Sequence, residues 1–558
     1  MTPFDSRSSS PEAAPTLGAL RISLPPTTLF VCVLALAYAL PGLFGHDPWK
    51  SEDAIGAGIV VQMLAHGQWL LPHLAGELYL EDGPFYYWIA AVCAKLASFA
   101  LTLDDGARIA SAASVIASLL LLRAAARELY GRAQAEAALM VLLGSLGLMV
   151  HAHETLGELG MLFGQALALH GMALAPRKPH KGGLALGLGL AAAALSKGPL
   201  SIIAMSVTAI AVFALSPHWR TRSYLLSFGE ALLAFAVTLG VWAFAAWRSD
   251  PAGVAAWYAA QGSALGMPDL ETALNRLQIL SWAAWPAWPI ALWVLWERRG
   301  MLREPGLLLG LVASAASLAM LFAMPDPREV QALPVLLPFA LLAAAGVERL
   351  RRGAVSALVW FGGMSFSFFA ALVWLGWISM MTGVPDWFAR AFTRLEPGFV
   401  APFQWLPFLA ALVLSAGWIM VLFHSDARSP YRSVLYWACG SALLWGLLMT
   451  LWLSWIDYGK SYRPVARSLA AALTKAFPRG PSCIESRNLG ESQRAVLDYH
   501  ADIVTRRVEV FGTSRCPVLL VQSRPGDEDP TLSRDWKRIW EGNRPRDRER
   551  YRLYIRTH

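Results

Sequence analysis

The sequence predicts an α-helical polytopic membrane protein with a small α/β domain at its C-terminal end. Three observations lead there. The 558 residues are 56% hydrophobic and only 15% charged, with 24 tryptophans, whereas soluble chains carry about a quarter charged residues. Apolar runs of about 18 residues or more recur along the chain, long enough to cross a bilayer as helices. After Ile456 the composition becomes charged, with short alternating segments. A closed β-barrel would show short alternating strands throughout.

In order along the chain, residues 1–26 read as a cytoplasmic N-terminal tail; the first 17, rich in Ser, Pro and Ala, have too few apolar groups to fold. Thr27–Gly45 has the length of a signal-anchor, and no cleavable signal peptide is evident. Residues 27–456 form the membrane unit. Its basic loops are Arg123–Arg132, Arg177–Lys181, His218–Arg222, Glu297–Arg303, Glu348–Arg352 and Asp426–Arg432. The positive-inside rule places them in the cytoplasm. This clustering accounts for the net charge of +8 without invoking nucleic acid. The acidic and Pro-rich loops then fall outside. Parity makes residues 46–101 a first outer loop, in which Phe85–Leu101 is an interfacial or re-entrant helix. Its Tyr86, Tyr87 and Trp88 are expected at headgroup level. The count is about thirteen spans. The glycines of Gly182–Gly189 fall at helical spacing and predict close helix packing.

Residues 457–558 read as an outer α/β domain. Strand-like runs are CIES, IVTRRVEVFG and PVLLVQS; helical ones are RPVARSLAAALTKAF and ESQRAVLDYHAD. Cys483 and Cys516 lie here, where either a disulfide or two free thiols would be compatible with the compartment.

The outer loops carry ionisable groups that solvated span ends do not fully explain. Glu52 and Asp53 follow the first span, and Glu81 and Asp82 precede the interfacial helix. His151, His153, Glu154 and Glu158 share a turn, Lys197 begins SKGP, and Arg328 sits in PDPRE. Acids and bases collected on one membrane face mark a functional site. They suit transfer from a phosphate leaving group: Lys197 and Arg328 would hold the phosphate as charge develops on it, with Arg276 a weaker candidate. A carboxylate would orient the acceptor hydroxyl and take its proton. The two histidines and neighbouring acids have metal-ligand chemistry, but capping of a loop explains them more simply. A divalent metal is left open, and no cofactor is assigned.

The stretch from Ser51 to Val92 resembles the first outer loop of the aminoarabinose-transferase-like and protein O-mannosyltransferase superfamily, GT-C glycosyltransferases that use polyprenyl-phosphate sugars. The family runs Asp-Glu, then Met-Leu-x-x-Gly-x-Trp, then Glu-Lys-Pro-Pro-Leu-x-Tyr-Trp. This chain has Glu52-Asp53, then Met63-Leu64 with Gly67 and Trp69, then Glu81-Asp82-Gly83-Pro84-Phe85-Tyr86-Tyr87-Trp88. ARELYGR, SKGP and PDPREVQALPVLLP follow in the family's order, so the resemblance covers most of residues 27–350. It implies a GT-C fold and a single inverting displacement. Glu52 takes the catalytic acid's place, Asp53 stands beside it, and Glu158 falls where a second acid is usual. Lys197 and Arg328 match donor-phosphate contacts, and Glu81, Asp82, Tyr86 and Gln331 fall at substrate-lining positions.

Four departures stand out: the reversed Glu52-Asp53 order, Asp82 for Lys, Glu158 for Asp and Gln331 for Tyr. They predict a sugar or acceptor other than the aminoarabinose and lipid A pair, or a degenerate enzyme. The reading is a bacterial inner-membrane glycosyltransferase with its active site and C-terminal domain on the periplasmic side. Its partners would be a polyprenyl-phosphate sugar, a lipid, glycan or protein acceptor, and membrane lipids. The rivals are a transporter or flippase of a lipid-linked or polar substrate, and an inactive membrane scaffold. A transporter would place charges near the bilayer midplane within inverted repeats, and neither is found.

Overall fold

The computed structural model describes residues 28–262, 266, 269–324, 328–512, 516–523, 535–545 and 547–557. The expected tail, residues 1–26, lies outside them. Among the described residues six helices are long and apolar enough to span a bilayer: Leu103–Tyr130, Arg222–Ser249, Pro305–Ala323, Arg352–Thr382, Trp405–His424 and Arg432–Leu451. A seventh candidate is the pair Leu270–Ala283 and Ala287–Glu297, bent by 93° at its break. Leu232, Val241 and Phe244 are exposed on one of these helices, as are Leu409 and Val413 on another. Apolar faces this large belong in lipid. The protein is a multi-pass membrane protein.

Other apolar runs behind the expectation of about thirteen spans also form helices, but short ones. Thr28–Ala39, Arg132–Leu143 and Leu333–Ala344 have 12 residues each, and Ile203–Leu215 has 13. At 1.5 Å per residue such helices cover about 20 Å, less than a hydrocarbon core. The glycine-rich segment packs as expected. Gly164 and Gly189 lie on facing helices, Gly157–Leu174 and Pro179–Lys197. A Cβ on either would meet the other's carbonyl oxygen at 2.5 Å.

The predicted interfacial helix is Phe85–Ala97, with 13 residues. Its tyrosines face the protein interior instead of the surface. Tyr86 and Tyr87 are buried inside the protein because their hydroxyls have interior partners: Tyr86 meets Ser111 at 2.7 Å, and Tyr87 donates to Asp82 at 2.5 Å.

The C-terminal region builds a five-stranded mixed sheet. Strand Ile484–Arg487 pairs in parallel with Arg506–Arg507 and with Val518–Ser523. Arg550–Arg556 then adds antiparallel to Val518–Ser523, and Trp536–Gly542 to Arg550–Arg556. The expected helices are Arg463–Ala476 and Glu491–Ala501. Of IVTRRVEVFG only Arg506–Arg507 is strand; Val508–Phe511 turns helical. Cys483 and Cys516 form a disulfide that ties the two parallel strands together at their starts. It closes a loop of 33 residues, which by chain entropy is worth about 3–4 kcal/mol. The Cys483→Ser/Cys516→Ser pair should therefore lower the proteolytic resistance of this region while leaving the membrane helices protected; limited proteolysis resolves the two.

This region is docked on the side that presents helix Glu52–His66. Helix Glu491–Ala501 lies against helix Glu52–His66, with Ala495 close to Gly58 and Gln62 donating to Asp498 at 2.7 Å. Tyr499 donates to Asp104 at 2.7 Å, and Arg494 and Arg507 reach Glu77 at 2.8 and 2.5 Å.

Candidate active site

Helix Glu52–His66 opens with the two acids the sequence singled out, and they have different fates. Asp53 is 2% exposed and fully engaged. It accepts from Arg108 Nη2 at 2.8 Å, from the Thr155 amide at 2.8 Å and from the Trp49 amide at 3.3 Å. Burial opposes its ionisation, but the Arg108 guanidinium overcomes this and holds the carboxyl below the usual range. Held by these donors, Asp53 anchors the helix that presents Glu52.

Among the described residues Glu52 makes one distant ion pair, 3.7 Å to Arg328 Nη1. Burial and then the nearby Glu158 carboxylate push its carboxyl up to about 7, against the pull of Lys197 and Arg328. A carboxylate poised there can exchange a proton near neutral pH.

The basic side is built by loop-to-helix contacts. The Gly83 amide donates to the Ser196 carbonyl at 2.8 Å, and a Cβ on Gly83 would meet the Leu195 carbonyl at 2.2 Å. Only glycine lets the Glu81–Pro84 loop lie this close to the end of helix Pro179–Lys197. Trp257 Nε1 and Gln261 Nε2 fix the same loop by donating to the Asp82 and Leu80 carbonyls, each at 2.9 Å. Asp82 is thereby held against Lys197 in a short charge-assisted hydrogen bond. Lys197 also meets Glu158 at 2.8 Å. Glu158 is in the first turn of its helix, where the macrodipole favours an anion. Arg328 pairs with Glu81 at 2.7 Å, and Gln331 accepts from the Arg328 amide at 3.4 Å.

These groups frame a cavity of about 380 Å³. Glu81, Glu158, Lys197, Arg328 and Gln331 line its polar part, and Met161, Leu200, Met320 and Leu321 its apolar part. Glu52 stands beside it, across Arg328. Two expected residues are elsewhere. Tyr86 is buried against Ser111 and does not line the cavity. Arg276 is buried, donates to the Phe322 carbonyl at 2.5 Å in the last turn of Pro305–Ala323, and does not line the cavity. The histidines diverge: His151 pairs with Glu154 at 2.8 Å, while His153 bonds the Tyr38 carbonyl and stacks on Trp445. Among the described residues no group of three or more His, Cys, Asp or Glu is arranged to hold a metal ion.

Residues 81–247 match the family described as dolichyl-phosphate-mannose-protein mannosyltransferase. An undecaprenyl phosphate-alpha-4-amino-4-deoxy-L-arabinose arabinosyl transferase of Pseudomonas savastanoi pv. phaseolicola is 28% identical over 449 residues, 76% of each chain. Transferase 1 of that description from Sodalis glossinidius is 32% identical over 236 residues, so the match spans 40% of that relative's length. The crystal structure of ArnT from Cupriavidus metallidurans bound to undecaprenyl phosphate superposes with a TM-score of 0.66 at 18% identity, covering 94% of this chain and 97% of that one. The chain is similar in sequence to these aminoarabinose transferases and shares the GT-C fold of the solved one. Its GT-C fold carries over to the apo form of the same solved protein, with a TM-score of 0.65.

Within this GT-C frame the structure adds residues that sequence reasoning passed over. Arg108 gathers Asp53, Asp104 and Asp105. An arginine in a long apolar helix was the available signal. Gln165 and Gln261 line the cavity, but uncharged amides in apolar or loop sequence leave no comparable trace. Chemically, the site offers a titratable carboxyl, two cations and an apolar hollow alongside.

Proposed function

We propose that the protein is an inner-membrane glycosyltransferase that moves a sugar from a polyprenyl phosphate to a lipid A-type acceptor on the periplasmic side. One observation carries this reading: Lys197 and Arg328 line the charged part of a cavity whose remainder is apolar, with the titratable Glu52 beside it. That combination fits a phosphate attached to a hydrocarbon chain. The acceptor hydroxyl attacks the anomeric carbon and gives its proton to Glu52. The bond from that carbon to the phosphate oxygen breaks, its electron pair stays on the phosphate, and the cations stabilise the new charge. The configuration inverts.

Against the different pair that the four departures predict, the donor sugar is an amino sugar of the kind the relatives' names carry. Glu52, Glu81, Asp82 and Glu158 outnumber Lys197 and Arg328, so a positively charged sugar offsets the excess. In this reading residues 27–456 form the catalytic unit, residues 46–101 its first periplasmic loop and residues 457–558 a periplasmic domain. Mass spectrometry of lipid A from cells with and without the gene product tests it. Loss of a pentosamine-sized mass from lipid A is the expected result; an unchanged profile, with no transfer by purified protein from a synthetic undecaprenyl phosphate-linked amino sugar, overturns it.

A further inference from the structure

We propose that Asp82 competes with the donor phosphate for Lys197, exchanging onto Tyr87 when the phosphate arrives and returning to Lys197 to help expel the spent carrier. This rests on the donor reading above. Lys197 is already paired twice: Asp82 and Glu158 both bond its ammonium, and all three side chains are 15% exposed or less. A phosphate entering the cavity therefore meets a lysine whose charge two carboxylates already offset, and withdrawal of one of them strengthens its hold on the phosphate.

The two are not equivalent. Glu158 is fixed in the first turn of a helix, with the dipole favouring its charge. Asp82 sits on a loop and has a second partner, since Tyr87 OH donates to its Oδ2 at 2.5 Å while Lys197 bonds Oδ1. Released by Lys197, Asp82 keeps a charge-assisted hydrogen bond from the phenol, which lowers the cost of the exchange. While the donor is bound, the freed Oδ1 is available to the ammonium of an amino sugar. Once the sugar has gone only the bare phosphate remains, and Asp82 is repelled by it and drawn back to Lys197. At the position where the family has a lysine, this chain thus carries a group that opposes retention of the phosphate.

The experiment measures binding of undecaprenyl phosphate, the spent carrier, to detergent-solubilised full-length protein. Asp82→Asn removes the competing charge but keeps an acceptor for Tyr87, and it should tighten binding about tenfold. Tyr87→Phe removes the alternative partner and should weaken binding about threefold. A misfolded protein would not bind its ligand more tightly, so a gain in affinity is diagnostic. Unchanged or weaker binding by Asp82→Asn, at a wild-type melting temperature, overturns the exchange. If Asp82→Asn does not fold, Tyr87→Phe decides alone, and unaltered affinity overturns it. Absence of binding by wild type and both variants overturns the donor reading, and the exchange with it.

Discussion

Glu52→Gln should abolish sugar transfer while leaving undecaprenyl phosphate bound. The expected loss in kcat is about 10²–10⁴-fold, the range for a missing general base. The amide cannot accept the acceptor's proton, yet it has nearly the same shape. It also leaves the Asp53 anchor and the Lys197 cluster untouched, because Glu52 bonds neither. The pH dependence follows from the same geometry. Burial and then Glu158 lift the Glu52 carboxyl to about 7, so kcat/KM in the wild type should rise with pH through about 7 and then level. Folding runs the other way. A carboxyl whose folded pKa lies above its unfolded value of 4.5 favours the native state most below pH 4.5. That contribution fades as the pH climbs to about 7. Activity and stability should therefore move in opposite directions between pH 5 and pH 7. Full activity in Glu52→Gln, or a wild-type rate profile that is flat from pH 5 to pH 9, would remove Glu52 from the chemistry.

How much of this was legible in the sequence depends on how far apart the partners lie. The membrane helices are written locally in apolar runs, as is the close approach at Gly189. Glu52, Glu158, Lys197 and Arg328 could be grouped because membrane orientation collects loops by side, and the structure does bring them together. What orientation cannot give is pairing. Asp53 meets Arg108 from 55 residues away, and Asp82 meets Lys197 from 115. Adjacent acids that look alike in a string thus separate into an anchor, Asp53, and a titratable group, Glu52. Strands Trp536–Gly542 and Arg550–Arg556 were missed for another reason. In WKRIWEG and RYRLYIR charged residues interrupt the apolar ones. In the second strand Tyr551 and Leu553 are buried while Arg550 is exposed, so alternation was present but hidden by an arginine-rich composition.

Arg108→Met should be the most destabilising single substitution in the membrane part. Arg108 is fully buried and reaches Asp53 at 2.8 Å, Asp105 at 3.1 Å and Asp104 at 3.3 Å, with the His46 carbonyl at 3.0 Å. Methionine fills similar volume but strands three carboxylates without a cation. Breaking a buried pair in this way costs about 3–5 kcal/mol, enough to lower the melting temperature in detergent by roughly 5 °C or more. The deficit should depend on pH with a definite sign. In the wild type Asp53 is held below its usual range, so its stabilisation is present above about pH 4 and is lost only in stronger acid. In the variant burial acts unopposed and raises that carboxyl, which can then be neutralised by protonation. The gap to wild type should therefore narrow from pH 8 to pH 5. Adding Asp53→Asn to Arg108→Met should recover part of the loss, since it removes one of the stranded charges. Transfer should fall along with stability, because the anchored turn carries Glu52 and because Tyr499 of the C-terminal region holds the same cluster through Asp104 at 2.7 Å. A melting temperature within about 1 °C of wild type at pH 8 would mean that the carboxylates find other compensation and that the cluster does not set the position of the base.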